Sequence, residues 1–249
     1  MSARLFRVPA VVVMPVTAPV VKVEGARALG AEVLFEGTTS VERKTRAETE
    51  ANNRGLHMVP PFDDSRIVAG QGTVGLEILQ DCPDLAQVLV PVGGGGLIAG
   101  IASVIKQCRP QVRVIGVEPI GAAKMTASLS AGHPVSLDRV ASVADGLLPV
   151  RPGDLTFQYV RRWVDEILTV DDNSIVEAMF WLFRRAKLVV ETSGAATVAA
   201  LASRTNDMGS KGSGAGATVV VLSGGNISLE MLAELSGVGT LNAKRKLRI

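Results

Sequence analysis

Residues 91–103 read PVGGGGLIAGIAS, where Gly93, Gly94, Gly95 and Gly96 stand between an apolar run and a helical pattern of small residues. Glycines let a backbone turn sharply and let successive N–H groups converge on one point. Where such a turn leads from a strand into a helix, the helix dipole adds to those amides, and phosphate is the natural occupant. A tight turn for close helix–strand packing would use the same residues. The pattern is not G-x-G-x-x-G, no acidic residue is clearly placed for a ribose, and the Lys-Ser/Thr of a nucleotide P-loop is missing. A phosphate without a nucleotide is therefore favoured. A second segment, VLSGGN at 221–226, ends another apolar run. Ser223 is expected to face the same side of the sheet as Gly93–Gly96, although a serine at a strand end also serves as a plain cap.

These segments need a scaffold that gathers strand ends together. Hydrophobic residues fill 47% of the 249 positions but aromatics only 4%, so Val, Leu, Ile and Ala must build the core. Such a composition suits a buried parallel sheet. Strands are predicted at AVVVM (10–14), AEVLFEG (31–37), LHMV (56–59), QVLVPV (87–92), VRVIGVEP (112–119), EILTV (166–170) and TVVVLSGG (218–225). Helices are predicted between them. One spans 17–30, capped by Thr17, with Pro19 in its first turn and Gly30 at its stop; a polar one runs from Ser40 to Gly55. Others cover 66–80, 97–108, 121–132, 154–164, 173–187, 193–204 and 228–235. PPFDDS at 60–65, the Pro- and Gly-rich stretch 133–154 and the segment 206–217 read as loops. The alternation implies an α/β fold with parallel strands, right-handed crossovers and helices on both faces. Ligands in such sheets sit beyond the C-terminal ends of the strands.

The formal charge of +2 gives no electrostatic drive toward nucleic acid or anionic membrane, and AKRKLRI at the C-terminus reads as a solvated tail. Cys82 and Cys108 lack metal-site spacing, so a reduced, cytoplasmic protein is expected. His57 and His133 are isolated and read as surface or strand-end residues. No apolar stretch is long enough for a bilayer. The start, MSARLFRVPAVVVMP, superficially resembles a signal peptide, but Pro9 and Pro15 bracket the apolar run and no A-x-A-like site follows.

PVGGGGLIAGIA, GVEP, ADGL, VVETSGAATVAAL and VVLSGGN occur in the order and rough spacing of the serine/threonine dehydratase family, with VVVMP, the segment from APVVKVEG to LFEG, and PPFDDSRIVAGQGTVGLEIL upstream. The chain thus resembles that family, which includes serine racemases and belongs to the fold type II pyridoxal phosphate enzymes. The resemblance implies pyridoxal 5'-phosphate as cofactor. The N–H groups of Gly93, Gly94, Gly95, Gly96 and Leu97 would hold its phosphate. The Ser223 hydroxyl would bond its pyridine nitrogen and leave that nitrogen largely unprotonated. Gly146 and Glu191 resemble residues lining the cofactor pocket; Glu191 is equally accounted for as a carboxylate at a helix N-terminus. Phe62 would lie near the cofactor face, or simply pack the loop.

The sequence departs from the family twice. The family holds its cofactor through a Schiff-base lysine in a segment like K-x-R-G-A and grips substrate with a loop like S-x-G-N-H, and neither occurs here. None of the eight lysines (Lys22, Lys44, Lys106, Lys124, Lys187, Lys211, Lys244 and Lys246) lies in a matching context. No catalytic residue is therefore assigned. Residues 1–60 are read as the remainder of a small domain and 61–249 as a large cofactor-binding domain, both without their first elements. That reading implies an exposed apolar surface, and hence instability, aggregation or dimerisation. Secondly, the metal site of serine racemases would map to Glu118, the Ala122 carbonyl and position 124. Lys124 stands there and could replace a cation's charge, so no metal is expected.

The implied activity is β-elimination of water from a hydroxy amino acid, giving a 2-oxo acid and ammonia, impaired in this chain by the missing lysine. The alternatives are a non-catalytic phosphate or pyridoxal phosphate binder, an amino-acid racemase of the same family, and an unrelated α/β fold with a phosphate loop, against which the SGGN pairing speaks. The resemblance implies an amino-acid substrate and a homodimer or homotetramer.

Overall fold

The computed structural model describes residues 1–207 and 216–236. Most of the loop expected at 206–217, the basic tail at 243–249, and Lys211, Lys244 and Lys246 lie outside them. The chain divides into two compact units, Met1–Pro60 and Pro61 onward.

The first unit contains α1 (Ser2–Leu5), β1 (Val11–Met14), α2 (Val20–Ala28), β2 (Glu32–Phe35) and α3 (Ser40–Arg54). The strands pair in parallel, from Val11 opposite Glu32 to Met14 opposite Phe35. Val23 is the one buried residue among the unit's described residues. Sequence reading missed α1 and placed the cap of α2 at Thr17; the helix starts after Pro19, with no side-chain cap. The strand expected at 56–59 does not form; among the described residues no strand pairs with it. α3 opens with a capping box: Thr39 Oγ1 accepts from the Glu42 amide, and the Glu42 carboxylate accepts from the Thr39 amide (2.8 Å) and Thr39 Oγ1 (2.7 Å). Those bonds, led by the one from the Thr39 hydroxyl, hold the Glu42 carboxyl below the usual carboxylate range. A depressed carboxylate stabilises the fold above its unfolded pKa, and that support disappears as pH falls through the folded value. Thr39→Val should therefore raise the Glu42 carboxyl titration, read by carbon NMR, towards the ordinary glutamate value.

The second unit holds α4 (Ser65–Asp81), β3 (Leu85–Pro91), α5 (Gly96–Cys108), β4 (Arg113–Pro119), α6 (Lys124–Ala131), α7 (Asp154–Trp163), β5 (Glu166–Val170), α8 (Asp172–Trp181), α9 (Thr192–Asp207), β6 (Ala217–Val220) and α10 (Leu229–Leu235). Its four parallel strands lie in the order β5-β4-β3-β6. Alternate strand residues feed two separate cores. Val88, Val90 and Val114 join the apolar residues of α5 and α7 on one face. Leu89, Ile115 and Val117 join those of α8 and α9 on the other. With both faces covered, the strands read as nearly continuous apolar runs. α8 ends at Trp181, short of the predicted Lys187. A π turn follows over Leu182–Ala186, and Lys187 closes it in the left-handed region at φ 59°.

Chain order runs outward from β3 through β4 to β5, then returns to β6 on the other side of β3. The connection reverses between β3 and β6, which opens a crevice beyond the carboxyl ends of those two strands. The glycine turn follows β3 and the Ser223 segment follows β6. The β6 strand ends at Val220, earlier than the predicted Gly225, so Ser223 stands in the irregular segment beyond it.

Candidate functional site

The turn from β3 into α5 is built of Val92–Gly95, and Gly95 caps the helix at φ 100°, ψ −4°. Only glycine adopts that conformation without strain. The amides of Gly93, Gly94, Gly95, Gly96 and Leu97 donate to no partner among the described residues. Gly94, Gly95 and Gly96 are buried. Buried N–H groups are nearly always paired. A run of free donors at the start of a 13-residue helix is therefore a fitted place for an anion such as a phosphate.

Neighbours occupy the space that side chains would take in this turn. A Cβ at Gly94 would run into the Phe62 ring, and one at Gly96 would stand 3.0 Å from Phe62 Cβ. Phe62 thus packs the turn, which meets the loop-packing role left open for it. A Cβ at Gly93 would lie 3.1 Å from the Gly146 carbonyl oxygen, so the turn and the Gly146 segment are adjacent. The Gly146 amide donates to Ser193 Oγ (2.9 Å), in the first turn of α9. Glu191 precedes that helix. Its amide donates to the Gly224 carbonyl (3.1 Å), and its carboxylate accepts from the Asn226 amide (3.1 Å). Glu191 therefore stands at a helix start and also ties the Ser223–Asn226 segment in place. Ser223 is half-buried, and a Cβ at Gly194 would lie 3.2 Å from its amide nitrogen. The structure gathers all the sequence-selected residues (Gly93–Leu97, Gly146, Glu191, Ser223 and Phe62) at one end of the sheet.

Below the turn lies Lys124, fully buried, on the first residue of α6. Its Nζ donates to the carbonyls of Val92 (2.9 Å), Leu147 (2.9 Å) and Ala122 (3.1 Å), and lies 3.2 Å from Glu118 Oε1. Burial pushes its pKa below the ordinary lysine value, and the attraction of Glu118 opposes that shift. Glu118 is also fully buried. It accepts from the Met125 amide, the Thr126 amide and Thr126 Oγ1, each at 2.9 Å, and so caps α6. Lys22 and Lys44 lie on α2 and α3, Lys106 pairs with Asp165 (2.7 Å), and Lys187 Nζ donates to the Arg184 carbonyl (2.9 Å). Among the described residues no group of three or more His, Cys, Asp or Glu side chains could hold a metal ion, and no helix is long and apolar enough to cross a membrane.

Sequence reasoning missed three supports. Thr156 Oγ1 donates to the Gly94 carbonyl (2.7 Å). Asp63 accepts from the amides of Asp154, Leu155 and Thr156 at 3.0–3.2 Å and so caps α7 from 91–93 residues away. Ser193 anchors Gly146. The SG pair in VETSGA flags Ser193 weakly, and nothing local flags the other two.

Residues 1–225 match the family model described as pyridoxal-phosphate dependent enzyme. L-threonine ammonia-lyase of Thermotoga maritima is 40% identical over 249 residues, covering 100% of this chain and 61% of the relative. Among solved structures, maize serine racemase superposes with a TM-score of 0.87 at 34% identity, over 94% of this chain and 70% of that one. Threonine deaminase isoform 2 of Solanum lycopersicum gives 0.85 at 37% identity, over 94% and 68%. The chain spans about 60% of the length of its threonine ammonia-lyase relatives from Thermotoga maritima and Geobacter sulfurreducens. Its fold is the mostly parallel α/β fold of those structures, and the chain belongs to the pyridoxal-phosphate dependent enzyme family.

Proposed function

We propose that this chain carries the cofactor-holding part of a threonine/serine dehydratase, an enzyme that removes water from a hydroxy amino acid to give a 2-oxo acid and ammonia. The observation that supports it most is the run of unpartnered amides from Gly93 to Leu97, set at the β3/β6 crevice in a chain of this family. Residues 1–60 correspond, in this reading, to part of a small domain and 61 onward to the large one.

Bound there, pyridoxal phosphate supplies an electron sink for an amino-acid carbanion. The Gly93–Leu97 amides hold the phosphate, aided by the α5 dipole. The Ser223 hydroxyl bonds the ring nitrogen as a neutral partner. Glu191 and Ser193 fix the segments that carry Ser223 and Gly146. Moving the α-proton needs a base. No lysine in these residues stands in a K-x-R-G-A segment, so these residues by themselves hold the cofactor non-covalently.

The test is to mix the chain with pyridoxal phosphate, follow absorption with L-threonine or L-serine added, reduce with borohydride and map any labelled lysine by mass spectrometry. Reversible binding without a specific label is expected. One labelled lysine with an amino-acid-dependent spectrum would refute the non-covalent assignment, and D-amino acid in place of 2-oxo acid would point to a racemase. Ser223→Ala should weaken cofactor binding by about 3- to 10-fold, the worth of one hydrogen bond, as measured by fluorescence titration.

A further inference from the structure

Lys124 is the one buried cationic side chain among the described residues. An ammonium has three N–H donors and no acceptor. Here the three meet three carbonyl oxygens, those of Val92, Ala122 and Leu147. These oxygens come from different parts of the chain. Val92 immediately precedes the glycine turn, Leu147 immediately follows Gly146, and Ala122 lies in the short turn after β4. Carbonyl oxygens brought together in a dry interior repel one another unless a donor or cation stands among them. Glu118 supplies the opposite charge, and its other oxygen is already satisfied by Thr126. Four oxygens within 3.2 Å of one point are the surroundings that hard cations select.

We infer that Lys124 is a tethered cation that locks the glycine turn to the Gly146 segment, and so acts as a positioning residue for the anion cradle. The Nζ bonds the residue before the free amides and the residue after Gly146. Its removal therefore frees both walls at once. The inference about the cradle rests on the function proposed above; the tethered cation itself does not.

Lys124→Ala leaves a space lined by the four oxygens that a free ion can enter. In tetramethylammonium buffer this variant is expected to melt several degrees lower and to bind pyridoxal phosphate about tenfold more weakly or worse. Potassium or calcium at matched ionic strength should restore both. Lys124→Met fills the same space with an apolar chain and should respond to no ion. The wild type should be indifferent to these ions and to chelator. If Lys124→Ala does not fold, Lys124→Gln, which reaches one bond less far than lysine, is read in the same way. Lys124→Ala melting and affinity that ignore every ion, or a wild type that needs one, would overturn the inference. A wild type that melts independently of ions yet binds no pyridoxal phosphate would instead refute the proposed function alone.

Discussion

Gly95→Ala is expected to weaken pyridoxal phosphate binding by at least about tenfold while leaving the chain folded. Two effects act together. The backbone at φ 100° is one that an alanine reaches only with strain of about 1–3 kcal/mol. The new Cβ would also lie 2.9 Å from Thr156 Oγ1 and 3.0 Å from Met125 Cε. Relief by rotating the turn would re-aim the free amides, and relief by moving Thr156 would break its bond to the Gly94 carbonyl. Either route damages the cradle. Gly132→Ala is the control. Gly132 is also left-handed, at φ 77°, but nothing lies within 4 Å of its Cβ position. That variant should lose about 1 kcal/mol of stability and no affinity. Equal affinity of Gly95→Ala and wild type would show that the turn holds no phosphate.

The largest loss of stability is expected from Gly100→Ala, measured by thermal or denaturant unfolding. α4 and α5 touch backbone to backbone at this point. A Cβ at Gly100 would lie 2.5 Å from the Val68 carbonyl oxygen, 2.6 Å from the Gly72 nitrogen and 2.7 Å from the Gln71 carbonyl carbon. Backbone atoms of a helix cannot step aside singly, so the helices must separate. Overpacking of this kind costs about 3 kcal/mol, which lowers Tm by roughly 6–12 °C in a unit of this size. Gly72→Ala, in the facing helix, meets the Val104 Cγ2 methyl at 3.1 Å. A side chain can yield there, and alanine's better helix propensity offsets about 1 kcal/mol. That variant should be nearly neutral, and a similar loss in both would contradict the close crossing.

What the sequence revealed and what it hid divide along one physical line. Tetraglycine after an apolar run marks a strand–turn–helix by local chemistry, and α5 begins at Gly96, one residue from the predicted Leu97. The alternating faces of β3 and β4 were legible as Val-rich runs. Strands depend on partners that local pattern does not name. LHMV has the right residues and no neighbour, and TVVVLSGG ends its pairing at Val220. Support from a distance was equally hidden. Asp63 caps a helix more than 90 residues away, and the three carbonyls around Lys124 are separate in sequence. At Phe62 the ring fills the room left by Gly94, a packing role that no local pattern names. Glu191 was open between pocket and helix start because a residue can occupy both, and its bond to Asn226 adds a third task.

The most direct measurement is a calorimetric titration of the chain with pyridoxal phosphate and with pyridoxal, followed by inorganic phosphate as competitor. If the Gly93–Leu97 amides grip a phosphate, pyridoxal binds at least about 100-fold more weakly, since several charge-assisted hydrogen bonds of about 1.5–3 kcal/mol each are lost. Inorganic phosphate then displaces pyridoxal phosphate. Equal affinity for the two compounds, with no competition, would contradict the central claim that this glycine turn is a phosphate site.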